Sequence, residues 1–228
     1  MLSNIFNPDS IRTFLTEAFY RVIPALMCIT FHELAHGYTA YRLGDRTAKD
    51  MGRLTLNPIK HIDVFGLLMM IVFRFGWAKP VPVDMRNFRK PKWFMAITAL
   101  AGPLSNIILA AIVLFLYGLV FNALGGINAQ GAGLVFRRLI ETSAYLSVAL
   151  AIFNLIPIPP LDGSKVLFSL LSEKTYYKLM HYERYGIFVL LLVLNTGVFR
   201  STVGRLTETV FDGMMVIWAA AYRLVNFM

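Results

Sequence analysis

Residues Ile29-Thr30-Phe31-His32-Glu33-Leu34-Ala35-His36 put three ionisable side chains into the middle of an apolar run from about Thr13 to Leu43. A run of this length makes a helix that crosses roughly 30 Å of hydrocarbon, which needs about 20 residues. Gly44-Asp45 follows as its stop signal, with Gly44 as a plausible C-cap. Three such groups on a membrane helix are expensive unless they do something. Two histidines at i and i+4 share one helix face, close enough for both imidazoles to reach one metal ion. The glutamate directly after the first histidine can lie beside the water that a zinc site leaves room for, and act there as general base.

Outward from this helix, the composition agrees. Apolar residues make up 57% of the 228 and charged residues 15%, too much apolar surface for a water-surrounded core of this size. Three further long apolar segments follow, Trp93–Asn122, about Arg137 to Ile156, and Leu206–Phe227. The expectation is therefore an all-α polytopic membrane protein with four clear transmembrane helices. Two shorter runs, Ile62–Phe75 and Gly186–Phe199, read as a re-entrant or membrane-resting segment and a tilted span. The last of these would pair with the final helix in a hairpin turning at Arg200–Arg205. A single domain, 1–228, is expected, with a catalytic core of about 18–171 and a C-terminal hairpin of about 186–227. Met1 to Phe14 lacks the pattern of a cleavable signal peptide.

The net charge of +9 comes from basic residues lying between the apolar runs, which fits loops at an anionic membrane face rather than a nucleic-acid partner. Arg42, Arg46, Lys49, Arg53 and Lys60 precede Ile62–Phe75, while Arg74, Lys79, Arg86, Arg89, Lys90 and Lys92 follow it. The positive-inside rule puts both groups on the cytoplasmic side, so the segment between them does not cross. His61 and His181, within basic loops, read as solvated.

A zinc site needs a third protein ligand. Cys28 lies about 12 Å along the helix axis from His36, too far for one ion, and reads as a small buried residue. Asp162 is the better candidate. It follows Asn154-Leu155-Ile156-Pro157-Ile158-Pro159-Pro160-Leu161, whose prolines end the third helix and can aim a carboxylate back at its neighbour. Both His36 and Asp162 fall near the cytoplasmic ends of their helices. Glu141, Glu173 and Glu183 are alternative third ligands in a zinc protease of another membrane class. A metal-binding or transport protein is a rival of a different kind, although its polar residues should continue through the bilayer.

With these residues in view, the chain resembles the site-2 protease family (peptidase family M50) of intramembrane zinc metalloproteases. The resemblance rests on His32-Glu33-x-x-His36, on Asn154-x-x-Pro157-x-x-x-x-Asp162-Gly163, and on Gly102-Pro103-Leu104-Ser105-Asn106 in the intervening helix. It covers roughly Ala18 to Leu171 and looks like the compact prokaryotic branch without PDZ or CBS domain. It implies one zinc ion held by His32, His36 and Asp162, Glu33 as base, and Asn154 orienting substrate or oxyanion. It also implies regulated proteolysis of a transmembrane-helix substrate in the bilayer, with the active site toward the cytoplasm.

Trp77–Asp84 adds a separate expectation. Pro80 and Pro82 alternate, which removes N–H donors from one edge of an extended segment and leaves Lys79, Val81 and Val83 on the other. Such a one-sided, membrane-associated β-like segment could pair with unwound substrate. The plainer alternative is an interfacial proline-rich loop anchored by Trp77.

Overall fold

Helix α4 (Pro91–Val120), which Pro91 opens at a position where a missing N–H costs nothing, is the axis of the fold. The computed structural model describes residues 8–73 and 76–226. Before α4 come α1 (Pro8–Arg42), the short α2 (Thr47–Asp50) and α3 (Val64–Phe73). After it come α5 (Gly131–Asn154), α6 (Asp162–Ser169), α7 (Glu173–His181), α8 (Gly186–Leu194) and α9 (Gly197–Asn226). Helices α1, α5, α6 and α9 all pack on α4.

Lipid tails are as apolar as leucine, so helices in a bilayer gain by close approach rather than by hiding from water. The sequence supplies small residues where that approach occurs. Ala99, Gly102, Asn106 and Ala110 lie buried at three- and four-residue spacing along α4, and Ala144, Ser147, Val148 and Ala151 do so on α5. Ala110, Val148 and Ile152 form an apolar core with Val203, Val210, Phe211 and Met214 of α9. Cys28 is buried in the α1–α5 interface, its Sγ 3.1 Å from Ser147 Oγ. Gly44, at φ 112°, turns the chain out of α1.

The expected four transmembrane helices are not all there. Asp9–Arg42 and Pro91–Val120 are long and apolar enough to cross a membrane, and a third span exists only if the bent pair α8 and α9 counts as one. Helix α5 has 24 residues, about 36 Å of helix, but Arg137, Arg138 and Glu141 interrupt its apolar character. The last segment, Leu206–Phe227, is part of α9, which begins at Gly197 and carries Arg200, Arg205, Glu208 and Asp212. Helices α8 and α9 meet at 89°, across Asn195-Thr196 rather than at Arg200–Arg205. Helix α3, at 10 residues, reaches only about 15 Å and does not cross. Arg74, Phe75 and Phe227, at the ends of predicted segments, lie outside the described residues.

The β-like segment is also overturned. No strand forms among the described residues, and one isolated antiparallel bridge joins Ile62 to Ala78. The alternating prolines extend the chain without giving it a strand partner. Its N–H groups go to single acceptors instead: Lys79 N to His61 O at 2.9 Å, Val81 N to Glu33 Oε2 at 2.7 Å and Asp84 N to Asp45 Oδ2 at 2.7 Å.

Asp45 fixes the corner that follows α1. It is fully buried and also accepts from Thr47 N, Thr47 Oγ1 and Asn87 Nδ2. Burial pushes its carboxyl up, but these hydrogen bonds outweigh that and hold it below the ordinary carboxylate range. A carboxyl depressed in the folded state stabilises above its unfolded pKa and stops doing so as pH falls through its folded one. Asp45→Asn is therefore expected to cost about 1–3 kcal/mol at neutral pH. Thermal unfolding in detergent should show the gap to wild type closing in acid.

Candidate metal centre

His32 and His36 stand one turn apart on the α1 face that meets α4, and Asp162 opens α6 beside them. Their Nε2 atoms are 3.0 Å apart, and Asp162 Oδ2 is 3.2 Å from the first and 3.1 Å from the second. All three residues are at most 9% exposed. Among the described residues this is the group whose donor atoms converge as metal ligands do.

The outer ring nitrogens determine what the inner ones can be. His36 Nδ1 is 2.7 Å from the Thr98 carbonyl. A carbonyl only accepts, so Nδ1 carries the proton and Nε2 of the neutral ring is bare. His32 Nδ1 lies 3.2 Å from the side-chain amide of Asn106, which is fully buried with its Oδ1 unpartnered. Turning that amide over gives Oδ1 the Nδ1 proton of His32 and leaves the second Nε2 bare as well.

Two bare nitrogens and a buried carboxylate oxygen without a hydrogen bond repel one another at these distances unless a cation lies among them. Tetrahedral ligation at about 2.0–2.1 Å sets ligand atoms about 3.3 Å apart, close to the edges of this triangle. Two imidazoles and a carboxylate are a zinc donor set that leaves one position open. The residues present fit the ion.

Gly102 makes the approach possible. A Cβ there would lie 2.5 Å from His36 Nε2 and 2.6 Å from His32 Cε1, so the imidazoles rest directly on the α4 backbone. Pro103 is buried beside it. The segment Pro157–Leu161 leaves α5 and turns back, and Gly163 packs against the Leu155 carbonyl. This places Asp162 opposite the histidines.

A cavity of about 260 Å³ opens onto the triad, with Glu33, Asn154 and Lys165 among its lining and Pro80, Val81 and Val83 along one wall. Asn154 donates its Nδ2 to Leu150 O at 2.9 Å. Lys79 and Val81, expected to offer N–H groups outward, direct them to His61 O and Glu33 as described. The alternative third ligands lie elsewhere. Glu141 binds Tyr117 and Arg137, Glu183 faces Lys165 at 3.6 Å, and Glu173 starts α7.

Three features escaped the sequence. Lys165, one turn beyond Asp162, had a readable signal in its i+3 spacing. Arg53 is buried and its Nη2 donates to the carbonyls of Lys79 at 2.8 Å and Pro80 at 3.2 Å. No local pattern announced it. His61, expected in solvent, is 2% exposed, with Nε2 2.9 Å from Thr55 O and its carbonyl accepting from Lys79 N.

The sequence profile described as peptidase family M50 matches residues 118–194, a stretch that contains Asp162 but not His32, Glu33 or His36. "Putative zinc metalloprotease YwhC" of Bacillus subtilis is 38% identical over 204 residues, 90% of this chain and 93% of its own. "Putative zinc metalloprotease Rip2" of Mycolicibacterium smegmatis is 30% identical over 194 residues, 82% of this chain and 71% of its own. No solved structure matches.

Ring orientation by Asn106 has a measurable consequence. Asn106→Leu is expected to weaken zinc binding about 10- to 100-fold while the helices stay folded. Chelator competition on the purified protein, with circular dichroism as the fold control, checks it.

Proposed function

This chain belongs to peptidase family M50, the site-2 protease family, as a zinc-dependent metalloendopeptidase embedded in the membrane, and on that premise we propose that it cuts within the bilayer. The scissile bond lies in, or at the edge of, a transmembrane helix of a membrane protein, near the cytoplasmic face. The whole chain acts as one multi-pass protease domain. The observation that carries this reading is the depth of the triad. His36 sits six residues before the end of the Asp9–Arg42 helix, which is long and apolar enough to cross a membrane, about 9 Å along its axis, and the basic residues Arg42, Arg46 and Lys49 follow at that end.

In this reading His32, His36 and Asp162 hold one zinc ion, with Thr98 and Asn106 fixing the rings. When bound, zinc supplies the Lewis acidity that polarises the scissile carbonyl and makes water a nucleophile near neutral pH. Glu33 takes the proton of the attacking water on Oε1, the oxygen not held by Val81, and passes it to the departing amine. Asn154, on the cavity wall, directs its remaining amide hydrogen at the substrate carbonyl. The burial of His32, His36 and Asp162 strengthens their electrostatic interactions.

Glu33→Gln is expected to retain zinc and lower cleavage by about 10²- to 10⁴-fold. Coexpression of wild type or Glu33→Gln with a panel of single-span membrane proteins, followed by mass spectrometry of the fragments, tests the whole reading. Cuts inside spans toward the cytoplasmic end, absent in the variant, support it. Cuts confined to loops outside the membrane, or full cleavage by the variant, overturn it.

A further inference from the structure

We infer that the segment from Lys79 to Asp84 is a strap that positions the Glu33 carboxylate, through a single main-chain N–H at Val81 and anchors supplied by Arg53, Gly37 and Asp45. The inference rests on Glu33 being the general base.

Val81 docks on α1 at two points. Its N–H donates to Glu33 Oε2 at 2.7 Å. Its side chain, 7% exposed, shares with Leu54 the space left by Gly37, where a Cβ would come within 2.9 Å of Val81 Cγ1 and 2.7 Å of Leu54 Cδ2. Glu33 and Gly37 are at i and i+4, so one face of α1 receives both the amide and the side chain. The neighbours on either side, Pro80 and Pro82, have no N–H. The carboxylate therefore meets one donor and has no adjacent one to exchange it for.

The anchors hold the strap from both directions. Upstream, Arg53 is buried and gives one nitrogen, Nη2, to the carbonyls of Lys79 and Pro80, the two residues before Val81. Its Nε is buried without a partner, so these two carbonyls are the acceptors that compensate the buried guanidinium. Downstream, the buried Asp45 accepts the N–H of Asp84. With one carboxylate oxygen fixed, the rotation of Glu33 about its last bond is restricted too, and Oε1 is the oxygen left for the cavity that Glu33 lines. Misplacing a reacting group by about 1 Å costs on the order of 10²-fold in rate. Arg53, Gly37 and Asp45 touch no reacting atom and act as positioning residues.

Because both contacts of Arg53 come from one nitrogen, a lysine ammonium can replace them. Arg53→Ala and Gly37→Ala should lower kcat about 10- to 100-fold on a detergent-solubilised single-span reporter helix, with KM and zinc per chain unchanged. Arg53→Lys should recover most of the loss. Adding Val81→Ala to Gly37→Ala removes one of the two clashing methyls, the other being Leu54 Cδ2, and should recover part of the kcat, since the N–H remains. Hydrogen exchange gives a readout independent of turnover: the peptide covering 79–84 should exchange faster in Arg53→Ala and in Glu33→Ala.

Wild-type kcat in both Arg53→Ala and Gly37→Ala overturns the inference, as does a loss seen only in KM, which would make the strap a substrate contact. Faster cleavage in either variant also overturns it, since the strap would then shield the base. If Glu33→Gln itself cleaves normally, the assignment of the base falls. If that variant is inactive while the strap variants behave as wild type, only the positioning role falls.

Discussion

Three electron-pair donors held 3.0–3.2 Å apart in a buried place are a demand that the rest of the molecule must meet. Each comes with a ring or carboxylate that needs space, and they belong to two segments separated by more than a hundred residues. The α1 helix can bring its two imidazoles this close to Asp162 only by laying them on the bare backbone of Gly102. The α1–α4 crossing is set there. Small residues continue that close approach along α4 and α5, and the proline-broken chain after α5 supplies the reversal that returns a carboxylate to the same depth. Away from the centre, large apolar side chains such as Leu104, Ile108 and Ile112 lie exposed along α4.

Burying such a centre raises the cost of every unpaired polar atom. The ligand rings meet this cost by giving their outer nitrogens to α4, one to a main-chain carbonyl and one to a buried amide. The same bonds that satisfy the rings also select the tautomer able to bind metal, so stability and chemistry favour the same arrangement. At the opposite end of α4, Tyr117, Glu141 and Arg137 form a separate polar cluster, and Trp218 and Tyr222 of α9 stack beside it.

Much of the centre was legible in the sequence because its signals are short in range. The histidine spacing needs only helix geometry, and the proline-rich run before Asp162 announces a break by its own chemistry. What failed depended on distant chain. His61 sits among basic residues yet is buried, since neighbouring charge says nothing about which loop closes over a ring. Pro80 and Pro82 correctly told which N–H groups were missing, but alternation could not reveal that the remaining ones would meet His61 and Glu33 rather than another strand. For α5, apolar length was given more weight than Arg137, Arg138 and Glu141, whose partners lie in the turn before α5, on the Tyr20 ring of α1 and on Tyr117 of α4 respectively. The Gly102 motif was visible, whereas its reason, two imidazoles resting on it, required the helix crossing.

The proline–valine–proline run has an implication for how the length of this chain can vary. A slip of one residue in either direction would set a proline nitrogen against Glu33, with nothing to donate. The run is tied on one side to Arg53 and on the other to Asp45, so slack cannot be taken up by sliding. An insertion or deletion of one residue between those ties is therefore either compensated by a second one or loses the amide altogether. The turn between α4 and α5 reaches no part of the metal centre and is under no such restriction. Length is negotiable at that end of the molecule and counted residue by residue at the other.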